Sequence, residues 1–226
     1  MALHRAGAME NPFRTHGIWS GVEEAVMDDT FDGLERRILG DPEIANSIID
    51  NIGGGLAEMD AELEKRLWCL GKFVQPHHLD IKKTHSSHPA LTLARKMMRR
   101  VNTVHAPQEK IECIFRCSRI IFRMLNETAA VAKKEAASAD DFLPILILVM
   151  LHSGAQKMHS TIEYICSFRR ASRLNGERHY YLVQAQTAVT FLHHADATSL
   201  TIDRGDFERE MKLAEEAWDA RGGDDT

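Results

Sequence analysis

The sequence predicts an all-α protein, a layered bundle of helices around one core, and three observations predict it. Apolar or small residues recur at helical spacing. The clearest series is Ile111, Ile114, Phe115, Ser118, Ile121, Phe122 and Leu125, at i, i+3, i+4, i+7, i+10, i+11 and i+14. Gly and Pro punctuate such segments where helices stop and start, as in Gly40-Asp41-Pro42 and Gly53-Gly54-Gly55. No hairpin dipeptide is flanked by alternating hydrophobics, so no strand is expected.

In chain order, residues 1–21 carry Gly, Pro and Asn without a sustained period and read as a loose lead-in. From Val22 to Leu39 the pattern is helical, with Val22, Val26, Phe31, Leu34 and Ile38 forming the expected apolar face. A second helix is expected over Glu43–Ile52. The glycine triplet after it lacks the Lys-Ser/Thr ending and the preceding strand of a phosphate loop, and reads as a turn. Leu56–Phe73 predicts a third helix with Leu63, Leu67 and Leu70 on one side. Residues 75–81 then break the period, Pro89–Met98 suits a short helix, and Pro107 starts the most periodic one. Ile120 and Met124 widen its stripe, which predicts packing on more than one side. Further helices are expected at Asp141–Leu151, Ser160–Phe168, His179–His194 and Asp206–Trp218, before a frayed tail from Gly222. The organisation is one domain over residues 22–205, followed by a C-terminal helix and tail over 206–226.

Composition narrows the function classes. The chain has 226 residues, 44% hydrophobic and 27% charged, as in a soluble globular protein. No apolar run approaches the roughly 20 residues of a membrane span, and the N-terminus lacks the apolar stretch of a secretory signal. A net charge of −5 argues against nucleic acid as the ligand. Four irregularly spaced cysteines do not make a disulfide framework and point to a reduced, cytosolic compartment.

The residues with most chemical content are Asp140 and Asp141, ahead of the apolar run Ile145–Leu151. Read alone, they are capping residues. Ser138 and Asp141 match a capping box, and acids suit the positive end of a helix dipole. Pro144 fits best in a first turn, which would make Asp140 or Asp141 the cap itself. On the helix of Tyr180 and Tyr181, Tyr181 shares an apolar face with Ala185, Ala188, Val189 and Leu192. Tyr180 lies with Gln184, Thr187 and Phe191 on a mixed face, as an aromatic ring with a wet hydroxyl. Ser160 and Glu163 form a second candidate capping box, with Ile162 and Ile165 facing the core, and Arg173 suits a residue that holds carbonyls or Glu177. Neighbouring histidines such as His77-His78 and His193-His194 diverge by about 100° on a helix, so no metal site is expected. Cys113 and Cys117 lie inside the apolar, strongly periodic helix that starts at Pro107 and read as buried thiols. No Gly-x-Ser-x-Gly elbow supports a hydrolase.

Asp140-Asp141-Phe142-Leu143-Pro144, His159-Ser160-Thr161-Ile162-Glu163-Tyr164-Ile165, Ser172-Arg173-Leu174, Gly176-Glu177 and Tyr180-Tyr181, in this order, resemble the Vps-nine (vacuolar protein sorting nine) domain family. Residues 76–81 and 106–125 are similar to it as well, so the resemblance spans about residues 22–205. It implies a helical guanine-nucleotide exchange factor for Rab-five-class GTPases of early endosomes. The expected partner is a nucleotide-free or GDP-bound GTPase, and the chain itself would need no cofactor. On the family's pattern Asp140 is an acidic finger that pairs with the phosphate-binding lysine of the GTPase, and Tyr180 contacts its switch region. Asp141 and Pro144 would border the same surface, with apolar residues of Ile145–Leu151 lining a groove for switch aromatics. The family usually has Thr-Asn where this chain has Val183 and Gln184, so a threonine contact is absent. That departure keeps a second reading open, a Rab-binding scaffold with little exchange activity.

Overall fold

The computed structural model describes residues 15–131 and 139–221, and no strand occurs among them. The helices are α1 (Glu24–Leu39), α2 (Pro42–Asp50), α3 (Leu56–Phe73), α4 (Lys83–Ser86), α5 (Ala90–Arg99), α6 (Pro107–Val131), α7 (Ala139–Leu151), α8 (Met158–Phe168), α9 (Gly176–His194) and α10 (Arg204–Arg221). The all-α expectation therefore holds, with boundaries close to those read from punctuation. Asp41 caps α2 by accepting from the backbone N–H of Glu43 and Ile44 at 2.9 and 3.2 Å, and Pro42 opens the helix where its missing N–H costs nothing. Gly53, Gly54 and Gly55 all have positive φ, the conformation a turn needs and other residues resist. Part of the lead-in, Ser138 with its capping box, and the tail 222–226 lie outside the described residues.

The core is organised around α6 and α7. α6 packs against α5, α7, α8 and α9, and buries Ile111, Ile114, Ile121, Met124 and Leu125 on more than one side. In α7 every residue from Ile145 to Leu151 is at most 6% exposed. A helix apolar all round must be surrounded, and neighbours on α3, α5, α6 and α9 surround it. Cys113 and Cys117 are buried as expected, and burial pushes both thiols upward in pKa. α10 lies on α3 through Trp218 against Trp68, with ring centroids 5.4 Å apart, and Phe207 against Phe73 at 5.7 Å.

Three local expectations are corrected. First, α1 has no buried residue, and Val26, Leu34 and Ile38 are exposed. The helix is held instead by its acids at i, i+4 and i+7. Arg169 donates to Asp32 at 2.9 Å and Glu35 at 2.8 Å, while Arg170 donates to Asp28 at 2.7 Å and Asp32 at 3.1 Å. Arg170 also lies over the Phe31 ring, 4.9 Å from its centroid. Second, Arg173 joins this clasp through Asp32 at 3.1 Å rather than holding Glu177. Charge complementarity decides these contacts, and an apolar-periodicity count does not register it. Third, Ser160 is not a cap. α8 starts earlier, at Met158, and the carboxylate of buried Asp60 on α3 accepts from His159 N–H at 2.7 Å and Ser160 N–H at 3.1 Å. Glu163 accepts instead from the Ser167 hydroxyl at 2.8 Å. Tertiary packing supplies the cap that the local sequence also offered.

Glu35 is nearly enclosed, and burial raises its carboxyl above the ordinary range although Arg169 opposes the shift. The clasp is thus a desolvated network whose members need each other. Arg169→Ala leaves Glu35 and Asp32 without their shared cation, and urea denaturation should show a loss of about 3–5 kcal/mol. A loss below about 1 kcal/mol would mean that water screens the clasp as it screens surface pairs.

Candidate functional site

α7 can reach the surface only at its ends, and its amino end carries Asp140 and Asp141 in the first turn. Asp140 is exposed and Asp141 half-buried. Both have helical backbone, so neither is the cap expected from Pro144. That proline is the sixth residue of α7 and sits inside the helix. Lacking an N–H, it cannot donate the usual i→i−4 bond, a loss tolerated this close to the amino end of the helix.

The two acids have different surroundings. Lys82, just before α4, donates to Asp141 Oδ1 at 2.9 Å. Buried His85 on α4 also feels this carboxylate. Burial lowers the His85 pKa and Asp141 opposes that shift. Asp141, expected to touch a partner, is thus already engaged within the chain. Lys82 stands 59 residues upstream in no recognisable motif, so sequence reasoning missed it.

Phe142 turns inward and ties α7 to its neighbours. It is 1% exposed, with its ring 5.6 Å from Tyr181 on α9 and 6.3 Å from Phe122 on α6. Tyr181 also meets Phe115 at 5.9 Å, and burial raises the pKa of its phenol. Arg178 lies over Phe115 at 4.7 Å and pairs with Glu112 at 3.1 Å, which anchors the first turn of α9. These contacts set the amino end of α7 beside the amino half of α9.

On that half of α9, Tyr180 is 46% exposed and stacks edge-on against buried Tyr181 at 5.2 Å. This matches the division of the pair expected from periodicity. Val183 is also exposed and Gln184 is half-buried, so both belong to the same surface. The stripe continues into a shallow hollow lined by Gln186, Thr187, Thr190, Phe191, His194 and Ser199. Leu143 and Pro144 are half-buried at the α7 end. The groove expected from Ile145–Leu151 is absent, because the core consumes all seven side chains. The half-buried or exposed apolar side chains at this surface are Leu143, Pro144, Tyr180, Val183 and Phe191. Among the described residues, no group of His, Cys, Asp or Glu could hold a metal ion.

This arrangement separates support from surface. Phe142→Ala should cost about 3–5 kcal/mol of stability by opening the aromatic junction. Lys82→Ala removes a largely solvated pair and should cost no more than about 1 kcal/mol. Thermal unfolding of both variants checks the contrast, and equal losses would contradict it.

Comparison with known proteins matches the segment that carries these residues to a family. Residues 91–197, which include α5 to α9, match the family model described as Vacuolar sorting protein 9 (VPS9) domain. Over 92% of its length the chain is 32% identical to Vacuolar protein sorting-associated protein 9A of Oryza sativa subsp. japonica, covering 43% of that protein. It is 36% identical to Vacuolar protein sorting-associated protein vps901 of Schizosaccharomyces pombe, over 88% of this chain and 36% of the relative. A shorter stretch, 49% of this chain, is 41% identical to the Rab5 GDP/GTP exchange factor of Mus musculus and covers 22% of it. The chain spans less than half the length of these relatives. An all-helical fold and a matching family model agree: residues 91–197 of this chain belong to the VPS9 domain family.

Proposed function

We propose that this chain is a guanine-nucleotide exchange factor that promotes GDP release from a Rab-five-class small GTPase. The observation that carries the reading is the exposed Asp140 in the first turn of the helix whose residues 145–151 are all buried, with exposed Tyr180 on α9, which packs against that helix, inside the family-matched segment. The exchange-factor name of one relative supports the partner class.

The mechanism is an exchange of contacts, with no covalent step. A GTPase that binds nucleotide with nM to pM affinity gains about −12 to −16 kcal/mol, much of it where a lysine and Mg²⁺ meet phosphate. The Asp140 carboxylate offers that lysine a substitute anion and repels both phosphate and Mg²⁺. Each ligand then weakens the other reciprocally, so the factor binds the nucleotide-free state best. α7 holds the acid on a rigid support, so little entropy is lost in presenting it. Tyr180 gives the switch region an aromatic contact with few rotatable bonds, and Pro144 shapes the neighbouring surface. Val183 offers no side-chain hydroxyl, so this chain relies more on Asp140 and Tyr180 than a relative with threonine would. The chain needs no cofactor of its own, since nucleotide and Mg²⁺ travel with the GTPase. No helix among the described residues is long and apolar enough to cross a membrane, and action in the cytoplasm on early endosomal membranes fits the proposed partner.

Release of fluorescent GDP from a panel of Rab GTPases tests the proposal. Wild type should accelerate release from a Rab-five-class member, and Asp140→Ala and Tyr180→Ala should each lose at least about tenfold of the acceleration. Folded wild type that accelerates no panel member yet binds nucleotide-free GTPase would replace exchange with the scaffold reading.

A further inference from the structure

Charge in this protein is unevenly placed. Residues 75–105 carry six Lys or Arg (Lys82, Lys83, Arg95, Lys96, Arg99 and Arg100) and a single acid, Asp80, in a chain whose overall balance is −5. The segment contains α4 and α5, which are joined by three residues and both pack on α6.

α5 turns Leu91, Ala94 and Met98 into the core. Its opposite side exposes Thr92, Leu93, Lys96, Arg99 and Arg100, with Met97 half-buried beside them. Leu93, Lys96 and Arg100 stand at i, i+3 and i+7, so one helical face mixes an apolar side chain, 51% exposed, with cations. On α4, Lys83 is exposed as well. Every charged neighbour matters to the balance. Lys82 is engaged by Asp141, and Arg100 shares a hollow with Glu109, Glu112 and Arg116. Asp80 accepts weakly from Thr201 at 3.4 Å. Arg99 donates to the Ser153 carbonyl at 2.6 Å, a bond that does not neutralise its charge. Among the described residues, Lys83 and Lys96 form no ion pair.

We propose that the exposed face of α4 and α5 docks on an anionic phospholipid bilayer. The chemistry favours a membrane over other polyanions. Cations attract lipid headgroups at about 1 kcal/mol each near a charged surface, and a leucine among them can enter the headgroup boundary. Single-stranded nucleic acid would call for aromatic stacking platforms, and this face carries none. Attraction by so few cations is weak and reversible, so the surface orients and retains the protein at a membrane rather than anchoring it. Through the Lys82–Asp141 contact, the same segment adjoins the amino end of α7, so membrane docking would set the candidate site close to the bilayer.

Co-sedimentation of the full chain with extruded vesicles tests the proposal without reference to exchange activity. Vesicles of phosphatidylserine and phosphatidylcholine should bind it at 0.05 M salt, while pure phosphatidylcholine should not. At 0.5 M salt, where screening acts within about 4 Å, binding should fall away. The double variant Lys83→Gln/Lys96→Gln should lose roughly thirtyfold in partitioning with unchanged thermal unfolding. Leu93→Ser should weaken binding to the anionic vesicles without altering its salt dependence. Absence of binding to the anionic vesicles at low salt would overturn the proposal, as would binding that the double variant leaves intact. Stronger retention on immobilised polyglutamate than on vesicles would assign the face to an acidic protein instead. Solution GDP release by the double variant separates the two readings, because loss of vesicle binding with normal exchange concerns the membrane face alone.

Discussion

The enclosure of α7 governs the rest of this structure. Seven consecutive apolar side chains, Ile145 to Leu151, leave the helix no solvent-facing side, so α3, α5, α6 and α9 must gather round it. A helix confined in this way has little freedom to rotate or slide, because any shift would break close packing on several sides at once. Whatever stands at its amino end is therefore held in place by the whole core. Asp140 and Asp141 stand there, and Phe142 locks that end against Tyr181 and Phe122. The most apolar helix of the protein thus serves as the mount for an exposed carboxylate.

Ion pairs serve two different purposes around this core. In the clasp of Arg169, Arg170 and Arg173 on Asp28, Asp32 and Glu35, charges are largely withdrawn from water and attach α1, which has no buried face of its own. At the α7 end, Lys82 meets Asp141 in a largely solvated pair. Its energetic weight is small, and its effect is to tie the Asp141 carboxylate to the segment just before α4. Asp140 is exposed and Asp141 half-buried, although their sequence context is nearly the same.

Much of this was legible in the sequence. Nine of the ten α-helices among the described residues, and their order, followed from periodicity and from Gly and Pro punctuation, while the short α4 gave no signal; the inward Tyr181 with outward Tyr180 followed from helical spacing. The errors share one physical origin. Val26, Leu34 and Ile38 looked like a core face, but α1 is bound through charge, a long-range complementarity that no local window contains. Ser160 looked like a cap, yet Asp60, 100 residues away, does that work. The apolar run of α7 suggested a groove, but hydrophobicity alone does not say whether a residue faces a partner or a core. Lys82 had no signal at all, since its meaning arises only from where α4 is set down.

Under the proposed mechanism Asp140 and Asp141, neighbours of the same chemical type, do different work. GDP release followed by stopped flow with Asp140→Asn and Asp141→Asn, both nearly isosteric, addresses this difference directly. Asp140→Asn should lose at least about tenfold of the acceleration, as expected for a lost charge-assisted contact, while Asp141→Asn should keep most of it. A large loss in Asp141→Asn with activity retained in Asp140→Asn would contradict the account.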